Sequence, residues 1–179
     1  MNPGELEVLI TLIGSVSPRT VIEIGANSGR TAKAILRNVK SIERYIGIDV
    51  PPTYVTPKLV QRREVLPNPG HLALDHPKFR LLLARKGTFD LTVEDLPRCD
   101  AVFIDGDHSA AAVRHDYALA KKLIRKGGIV VFHDDHGRSD VDVSAVLDEL
   151  ADAGEETVHV RNTWLAFRRN EDAVGHVLD

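Results

Sequence analysis

Acidic residues and histidines are concentrated in two short runs of the 179-residue sequence, FIDGDH at 103–108 and FHDDH at 132–136. Each run follows an apolar, β-branched stretch of the kind that forms a buried strand. Carboxylates at the ends of neighbouring parallel strands lie close together, repel one another, and need a cation or a proton between them. Oxygen ligands of this kind suit Mg²⁺, with Mn²⁺ as the alternative. We therefore predict a metal site whose ligands are Asp105, Asp134 and Asp135.

The neighbours of these carboxylates have several interpretations. His108 is the candidate general base, because an unperturbed imidazole titrates near neutral pH. Asp107 is predicted to cap the helix that begins near Ser109. His133 fits a packed residue, a residue that supports a ligand, or a ligand itself, and His136 fits a loop histidine better than a substrate contact.

A second group of residues lies where an apolar strand is joined to a helix, in the run EIGANSGR at 23–30, and Asp49 ends the next apolar strand. Glycines in such a turn let backbone N–H groups approach a ligand closely, and a carboxylate at the second strand end can accept both hydroxyls of a ribose. Glu23 would repel a pyrophosphate by ~4 kcal/mol at about 4 Å and an effective dielectric of ~20, whereas it would attract the ammonium and sulfonium of S-adenosylmethionine. Asn27 and Arg30 also stand where a dinucleotide fingerprint has its second and third glycines. The pattern therefore favours S-adenosylmethionine over a dinucleotide.

The elements that must position these residues alternate between strand and helix. Apolar runs predict strands at 20–25, 45–50, 79–84, 100–105, 128–133, 157–160 and 163–167, and apolar periodicity predicts helices near 6–13, 31–39, 109–126 and 141–153. The proline-rich stretch 51–77 is predicted as a loop with one helix around 58–65. Such alternation is typical of a parallel sheet with helices on both faces, and the last two strands should pair antiparallel. Ligands of such sheets bind at the carboxyl ends of the strands, where every candidate residue falls.

Composition and charge narrow the range of functions. A net charge of −3 and a pI near 6.2 argue against a nucleic-acid partner, because proteins that bind nucleic acids usually present a basic face. Cys99 is the only cysteine, so no internal disulfide forms and a reducing, cytoplasmic compartment is expected. The first residues lack the basic segment of a signal peptide, and no apolar run approaches the ~20 residues of a membrane span. We expect one soluble domain over residues 1–179, with neither a membrane nor a nucleic-acid partner.

Three stretches of the sequence resemble a known family. VIEIGANSGRTAKAIL at 21–36 resembles the first motif of class I S-adenosylmethionine-dependent methyltransferases, and YIGIDV at 45–50 resembles the second. The run at 100–135 is similar to the later half of the compact O-methyltransferases related to catechol and macrolide-sugar O-methyltransferases, many of which need a divalent metal. The resemblance covers about residues 20 to 136.

The resemblance implies a Rossmann-like, doubly wound α/β fold whose seven-stranded sheet has the strand order 3-2-1-4-5-7-6 and an antiparallel last strand. It also implies which residues bind S-adenosylmethionine: Glu23, Gly25, Ala26, Asn27, Gly29, Asp49 and Asp105. Asn27 departs from the usual middle glycine, and asparagine tolerates left-handed dihedral angles better than most residues. The residues that would contact adenine stay unassigned.

The function predicted from these features is methylation of a hydroxyl on a small molecule, assisted by a divalent metal and a histidine base. The alternatives are a metal-independent methyltransferase of the same fold, a metal-dependent hydrolase that uses the Asp/His cluster, and a non-catalytic nucleoside-binding subunit. Compared with the resembling enzymes the chain has little N-terminal extension, so we expect a second subunit to complete the pocket in a homodimer.

Overall fold

The computed structural model describes residues 1, 4–54, 65–138 and 140–171. It contains four helices within that range, α1 (Glu5–Gly14), α2 (Arg30–Asn38), α3 (Ala110–Leu123) and α4 (Val143–Asp152). The strands are β1 (Thr20–Ile24), β2 (Arg44–Asp49), β3 (Phe79–Leu83), β4 (Arg85–Thr88), β5 (Cys99–Ile104), β6 (Ile124–Phe132), β7 (Val158–His159) and β8 (Ala166–Arg169). The helix expected around 58–65 lies, apart from Val65, outside the described residues.

Seven of these strands form one mixed sheet in the order β3-β2-β1-β5-β6-β8-β7, and the short β4 lies outside it. The pairs from β3 to β6 are parallel, β8 is antiparallel to β6, and β7 is antiparallel to β8. Counting only the strands of this sheet gives the order 3-2-1-4-5-7-6, so the predicted fold class and topology are confirmed.

Alternation of side chains along the strands divides the core into two layers. Ile22 and Ile24 of β1 pack on one side of the sheet with apolar residues of α3 and α4. Val21 of the same strand packs on the other side with apolar residues of α1 and α2. The central strands are buried on both faces, which is why they read as continuous apolar runs.

Some element boundaries differ from the sequence-based expectation. Helix α3 ends at Leu123 rather than near Lys126, and β6 begins at Ile124, four residues before the predicted start. The early part of β6 pairs irregularly with β5, because the register shifts between Cys99 and Ala101. The last strand runs from Ala166 to Arg169 rather than from 163 to 167, and the sequence did not predict β4.

In the described part of the chain, no helix combines the length and the hydropathy that a membrane crossing requires.

Candidate active site

A cavity of about 1110 Å³ opens at the carboxyl ends of β1, β2, β5 and β6. Ligand pockets in proteins are typically about 300–1000 Å³, so this cavity has room for a nucleoside and a second small molecule. Its wall includes residues of both groups identified in the sequence: Gly25, Ala26, Asn27, Asp49, Asp105, His108 and Asp134. The fold therefore brings together two groups that lie far apart along the chain.

The turn after β1 depends on glycine at two positions. Gly25 has φ of 90°, and a Cβ there would lie 2.1 Å from the backbone oxygen of Asp105. Gly29 has φ of 80° at the start of α2, and a Cβ there would lie 2.8 Å from the backbone oxygen of Gly70. Asn27 adopts φ of 45°, so asparagine keeps the left-handed turn without a middle glycine. Gly25, Ala26 and Asn27 line the cavity, whereas Gly29 supports the turn from behind.

Asp49 lies at the end of β2 and faces the cavity. Its Oδ2 accepts a hydrogen bond from the backbone N–H of Asn27 at 2.5 Å, and its Oδ1 accepts one from the backbone N–H of Val50 at 2.7 Å. Burial raises the pKa of Asp49, although both hydrogen bonds act in the opposite direction. The carboxylate is thus held in place by the glycine turn beside it.

Glu23 occupies a different position from the one the sequence suggested. Its side chain is 1% exposed, and Glu23 is not among the described residues that line the cavity. The hydroxyl of Tyr45 donates a hydrogen bond to Glu23 Oε2 at 3.1 Å. Burial, with a further contribution from Asp105, raises the pKa of Glu23 well above its usual value. Direct contact between Glu23 and a ligand is therefore not what this geometry offers.

Asp105, His108 and Asp134 form a compact cluster on the cavity wall, which we call the Asp/His cluster. One ligand atom from each residue lies within 4.8 Å of the other two. His108 Nε2 is 2.8 Å from Asp134 Oδ2 and 3.9 Å from Asp105 Oδ1. Asp134 has φ of 62°, a left-handed conformation that is uncommon for residues other than glycine and that clusters at functional sites.

The charged groups of this cluster shift one another's pKa values. Burial disfavours the imidazolium, but Asp105 and Asp134 outweigh burial and raise the pKa of His108 to about 10. Burial likewise opposes ionisation of Asp134, but its contacts with His108 and His133 hold its pKa far below the usual value. Without another cation, His108 is therefore protonated at neutral pH, and a protonated imidazole cannot accept the proton that the predicted general base must take.

The donor set fits a divalent cation. His108 Nε2 is buried and forms no aligned hydrogen bond, although it is within ion-pair distance of Asp134. A hydrogen bond is strongly directional, whereas coordination of several donors to one ion requires only that the donor atoms converge. Two carboxylates and an imidazole that converge in this way are typical ligands of a divalent metal.

Asp135, the third predicted metal ligand, does not join the cluster. Its Oδ1 accepts a hydrogen bond from the Ser144 hydroxyl at 2.7 Å, and its Oδ2 is 2.8 Å from Nδ1 of His159. These contacts hold its carboxylate on the α4 side of the loop. His136 lines the cavity and packs edge-on against Trp164, with ring centroids 4.4 Å apart.

Asp107 lies at the start of α3, where its Oδ1 accepts a hydrogen bond from the backbone N–H of Ser109 at 2.8 Å. The next backbone N–H, that of Ala110, donates to Oδ2 of Asp142 at 2.9 Å. Asp107 therefore accepts a hydrogen bond in the turn before α3 and does not cap the helix itself, because Ser109 is the N-cap and the first helical N–H is bound by Asp142.

Sequence reasoning missed a buried pair beside the Asp/His cluster. Glu5 is fully buried, its Oε1 accepts a hydrogen bond from the backbone N–H of Trp164 at 2.6 Å, and its Oε2 is 3.4 Å from Nε2 of His133. The buried face of α1 consists of Glu5, Leu9 and Ile13, which are four residues apart. That spacing was the available signal, because residues at i and i+4 share one face of a helix.

The sequence also did not predict a second pair of residues on the cavity wall. The hydroxyl of Thr88 in β4 donates a hydrogen bond to Oδ1 of Asp116 in α3, and both residues line the cavity. Burial raises the pKa of Asp116 to about 7, although the Thr88 hydrogen bond acts in the opposite direction. A Cβ at Gly87 would lie 3.6 Å from Val50, so this wall adjoins the end of β2. Asp116 lies two turns into α3, and its place in the sequence did not indicate that it would line the cavity.

The proline-rich segment and the chain after Asp135 both border the cavity. Tyr54 and Val65 line it from the described ends of the proline-rich segment, and Arg138 and Val141 line it from the chain after Asp135.

The sequence matches the profile of a family described as a methyltransferase domain over residues 22–134. An uncharacterized protein of Acanthamoeba polyphaga mimivirus is 30% identical over 120 residues, which cover 64% of this chain and 51% of that protein. The chain therefore spans about half the length of the curated relative it matches.

Several solved structures share the fold. Cofactor-bound Rv0187 from MTB has a TM-score of 0.66 at 20% identity, over 95% of this chain and 81% of that chain. The O-methyltransferase TomG from Streptomyces achromogenes, in complex with SAM, has a TM-score of 0.65 at 17% identity, over 96% and 81%. The SAH-bound methyltransferase PaMTH1 of Podospora anserina has a TM-score of 0.67 at 14% identity, over 96% and 80%. Since the profile match extends over more than half of the sequence, the chain belongs to the methyltransferase domain family.

Proposed function

We propose that this protein transfers the methyl group of S-adenosylmethionine to a hydroxyl of a small molecule, with a divalent cation at the Asp/His cluster. The observation that carries the proposal is the shared cavity, whose wall contains both the glycine turn with Asp49 and the Asp/His cluster. TomG and PaMTH1, which have this fold, are described with SAM and SAH respectively. A methyl donor and an acceptor must meet at contact distance, and one cavity that joins a nucleoside site to a cation site meets that need.

The glycine turn and Asp49 would form the nucleoside half of the cavity. Asp49 accepts the ribose hydroxyls, and the turn at 25–27 approaches the methionine part with backbone N–H groups. Asp105 adjoins this turn, because its backbone oxygen lies where a Gly25 side chain would be. Contacts with His108 and His133 outweigh burial and hold the pKa of Asp105 below its usual value, so this carboxylate is ionised. Asp105 thus takes over the attraction for a cationic ligand that the sequence had assigned to Glu23.

The base of the nucleoside would then occupy the wall beyond Asp49. Val50, Thr88 and Asp116 line that side of the cavity, next to the turn between β5 and α3. We assign these residues as the adenine contacts, which the sequence alone did not identify.

The acceptor half lies at the Asp/His cluster. A divalent cation bound there supplies positive charge that favours the anionic form of a bound hydroxyl. The acceptor oxygen forms a bond to the methyl carbon as the bond from carbon to sulfur breaks, so the sulfonium becomes a neutral thioether and the hydroxyl proton is lost. Asp105, His108 and Asp134 would hold the cation, so the hydroxyl proton passes to solvent rather than to the Nε2 of His108.

The decisive experiment is product analysis by mass spectrometry. Purified protein is incubated with S-adenosylmethionine, a divalent cation and a panel of phenolic, sugar and other small hydroxyl compounds. We expect one acceptor to gain the mass of one methyl group while S-adenosylhomocysteine accumulates in equal amount. An acceptor that is cleaved with water in the absence of S-adenosylmethionine would replace this proposal with a hydrolase.

The cation is tested separately. Activity should fall on treatment with a chelator and return when a divalent cation is added. Asp134→Ala should abolish turnover but retain affinity for S-adenosylhomocysteine, because Asp134 belongs to the cluster and not to the glycine turn. Full activity in this variant would leave a metal-independent methyltransferase as the function.

A further inference from the structure

His133 is placed between the Asp/His cluster and the interior of the protein. Its side chain is 5% exposed, and its Nδ1 lies 3.1 Å from both Asp105 Oδ1 and Asp134 Oδ2. Despite these short distances, Nδ1 forms no aligned hydrogen bond. A buried imidazole nitrogen is therefore directed at the space between two carboxylates rather than at either of them.

The spacing of these atoms is that of neighbouring ligands on one ion. Donors that each lie about 2.0–2.2 Å from a metal are about 3 Å apart when they occupy adjacent coordination positions at right angles. The two distances from His133 Nδ1 are 3.1 Å, and His108 Nε2 is 2.8 Å from Asp134 Oδ2. His108 Nε2 and Asp105 Oδ1, at 3.9 Å, fit positions farther apart on the same ion.

The other nitrogen of His133 is held by Glu5. Its Nε2 is 3.4 Å from Oε2 of this fully buried carboxylate, whose Oε1 is fixed by the backbone N–H of Trp164. Histidines that bind metals usually donate their second N–H to a carboxylate or carbonyl, which fixes the ring and the tautomer. A cation at the cluster would displace the proton from Nδ1, and the neutral imidazole would then keep Nε2–H directed at Glu5 and present the Nδ1 lone pair to the ion.

We propose that His133 Nδ1 is a further ligand of the cation, that Glu5 is the positioning residue for it, and that the site prefers a transition-metal ion over Mg²⁺. The inference rests on the cation that the proposed function places at the Asp/His cluster, and it changes the ligand set to two carboxylates and two imidazoles. Mg²⁺ binds oxygen ligands and water, whereas imidazole suits Zn²⁺, Fe²⁺, Co²⁺ and related ions. The oxygen-only site with Mg²⁺ that the sequence suggested is replaced by a mixed nitrogen and oxygen site.

The test uses the full chain without S-adenosylmethionine, titrated with Co²⁺ and with Mg²⁺ by calorimetry. We expect Co²⁺ to bind at least 100-fold more tightly than Mg²⁺. His133→Asn should weaken Co²⁺ binding by at least 10-fold, and Glu5→Gln by about 10-fold, in line with the effect of losing a partner of a metal-bound histidine. Glu149→Gln, which removes an exposed partner of Arg114, is the control and should leave the affinity unchanged.

A spectroscopic readout separates ligation from a purely structural role. Pulsed EPR of Mn²⁺ bound to the wild-type protein should show two coordinated imidazole nitrogens, and the count should fall to one in His133→Asn. The nitrogen count of the wild-type protein requires no variant, so it tests the ligand set even if His133→Asn does not fold. A wild-type count of one nitrogen, or an unchanged Co²⁺ affinity in a folded His133→Asn protein, would overturn the inference.

Failure of this inference is distinguishable from failure of the proposed function. If the wild-type protein binds no divalent ion but does bind S-adenosylhomocysteine, the cation is removed from both proposals and methyl transfer remains. If it binds the ion with a single imidazole, only the role of His133 and Glu5 is lost.

Discussion

At the scale of single residues, Asp134 and Asp135 are adjacent in the sequence but have different surroundings. Asp134 faces His108 and His133, whereas Asp135 is bound by Ser144 and His159. The sequence places equal carboxylates one position apart, and only their contacts distinguish them.

We predict that Asp134→Asn lowers affinity for a divalent cation by at least 10-fold and that Asp135→Asn changes it by less than 3-fold. Asp134→Asn removes a negative charge from the cation site, and the loss of one charged contact should reduce the free energy of cation binding by about 1.5–3 kcal/mol. Asp135 makes no such contact, so its substitution should have little effect. Calorimetry with Mn²⁺ on both variants checks this. Equal losses in the two would restore Asp135 to the ligand set.

Under the proposed function, Asp49 is the residue on which we expect nucleoside binding to depend most. Asp49→Asn removes the charge while keeping a side chain of the same shape, so the hydrogen bonds to ribose weaken. We expect affinity for S-adenosylhomocysteine, measured by calorimetry, to fall by about 10- to 100-fold, because a charge-assisted hydrogen bond is lost. Asp95→Asn, on an exposed turn with Thr92, is the control. Unchanged affinity in Asp49→Asn would remove the ribose from this position.

At the scale of elements, the turn between β1 and α2 has two roles. It lines the cavity, and it packs closely against the backbone that follows β5. Gly25→Ala introduces a methyl group that meets the backbone oxygen of Asp105, in a backbone conformation with φ of 90°. We predict a loss of more than about 2 kcal/mol in unfolding free energy together with loss of cofactor binding, because the backbone at Asp105 must move.

Gly127→Ala is the matched control for this prediction. Gly127 has a similar φ of 74°, but a Cβ there meets nothing within 4 Å, so only the backbone strain of about 1 kcal/mol applies. Denaturation in urea measures both variants. Equal destabilisation would show that backbone strain alone, rather than the contact with Asp105, makes glycine necessary at 25.

The packing of α3 against β4 creates a pH-dependent contribution to stability through Asp116. Burial raises its pKa to about 7, whereas an unfolded aspartate titrates near 3.9, so between these values the folded protein binds a proton that the unfolded chain does not. Stability from this group is therefore present at low pH and falls as pH rises toward about 7.

Asp116→Asn removes this proton linkage and keeps an oxygen to accept the Thr88 hydrogen bond. The variant should gain stability relative to the wild type as pH rises from 5 to 8, by up to about 3 kcal/mol, because about two pH units of this window lie below the folded pKa. Urea denaturation at both pH values measures it, with the exposed Asp148→Asn as the comparison. A difference that does not change with pH would contradict the argument.

At the scale of the whole molecule, a ligand that fills the cavity should stabilise the fold, because it binds the folded state only. S-adenosylhomocysteine at 100-fold its dissociation constant should add about 2.7 kcal/mol, a rise of roughly 5–10 °C in Tm for a domain of this size. NAD⁺ is the matched comparison and should give no shift, since the wall offers it carboxylates rather than a pyrophosphate site. Stabilisation by NAD⁺ alone would favour a dinucleotide.

The sequence determined the architecture of this protein because hydrophobic periodicity is a local property. Apolar runs such as those of β1 and β5 and the glycine turn at 25–29 are readable without tertiary structure, and the sheet order follows from the family resemblance. The positions of Gly25, Asp49, Asp105 and Asp134 on one cavity wall also follow, because the carboxyl ends of parallel strands share one edge of a sheet.

What only the tertiary structure decided is which way individual side chains point and what they meet. Glu23 lies behind the wall on Tyr45, and Asp135 is turned toward Ser144. Glu5 reaches His133 across more than a hundred residues of sequence, because α1 packs against β6. Local patterns record periodicity, burial and turn chemistry, whereas these contacts depend on how distant elements pack, and no single segment of the sequence contains that information.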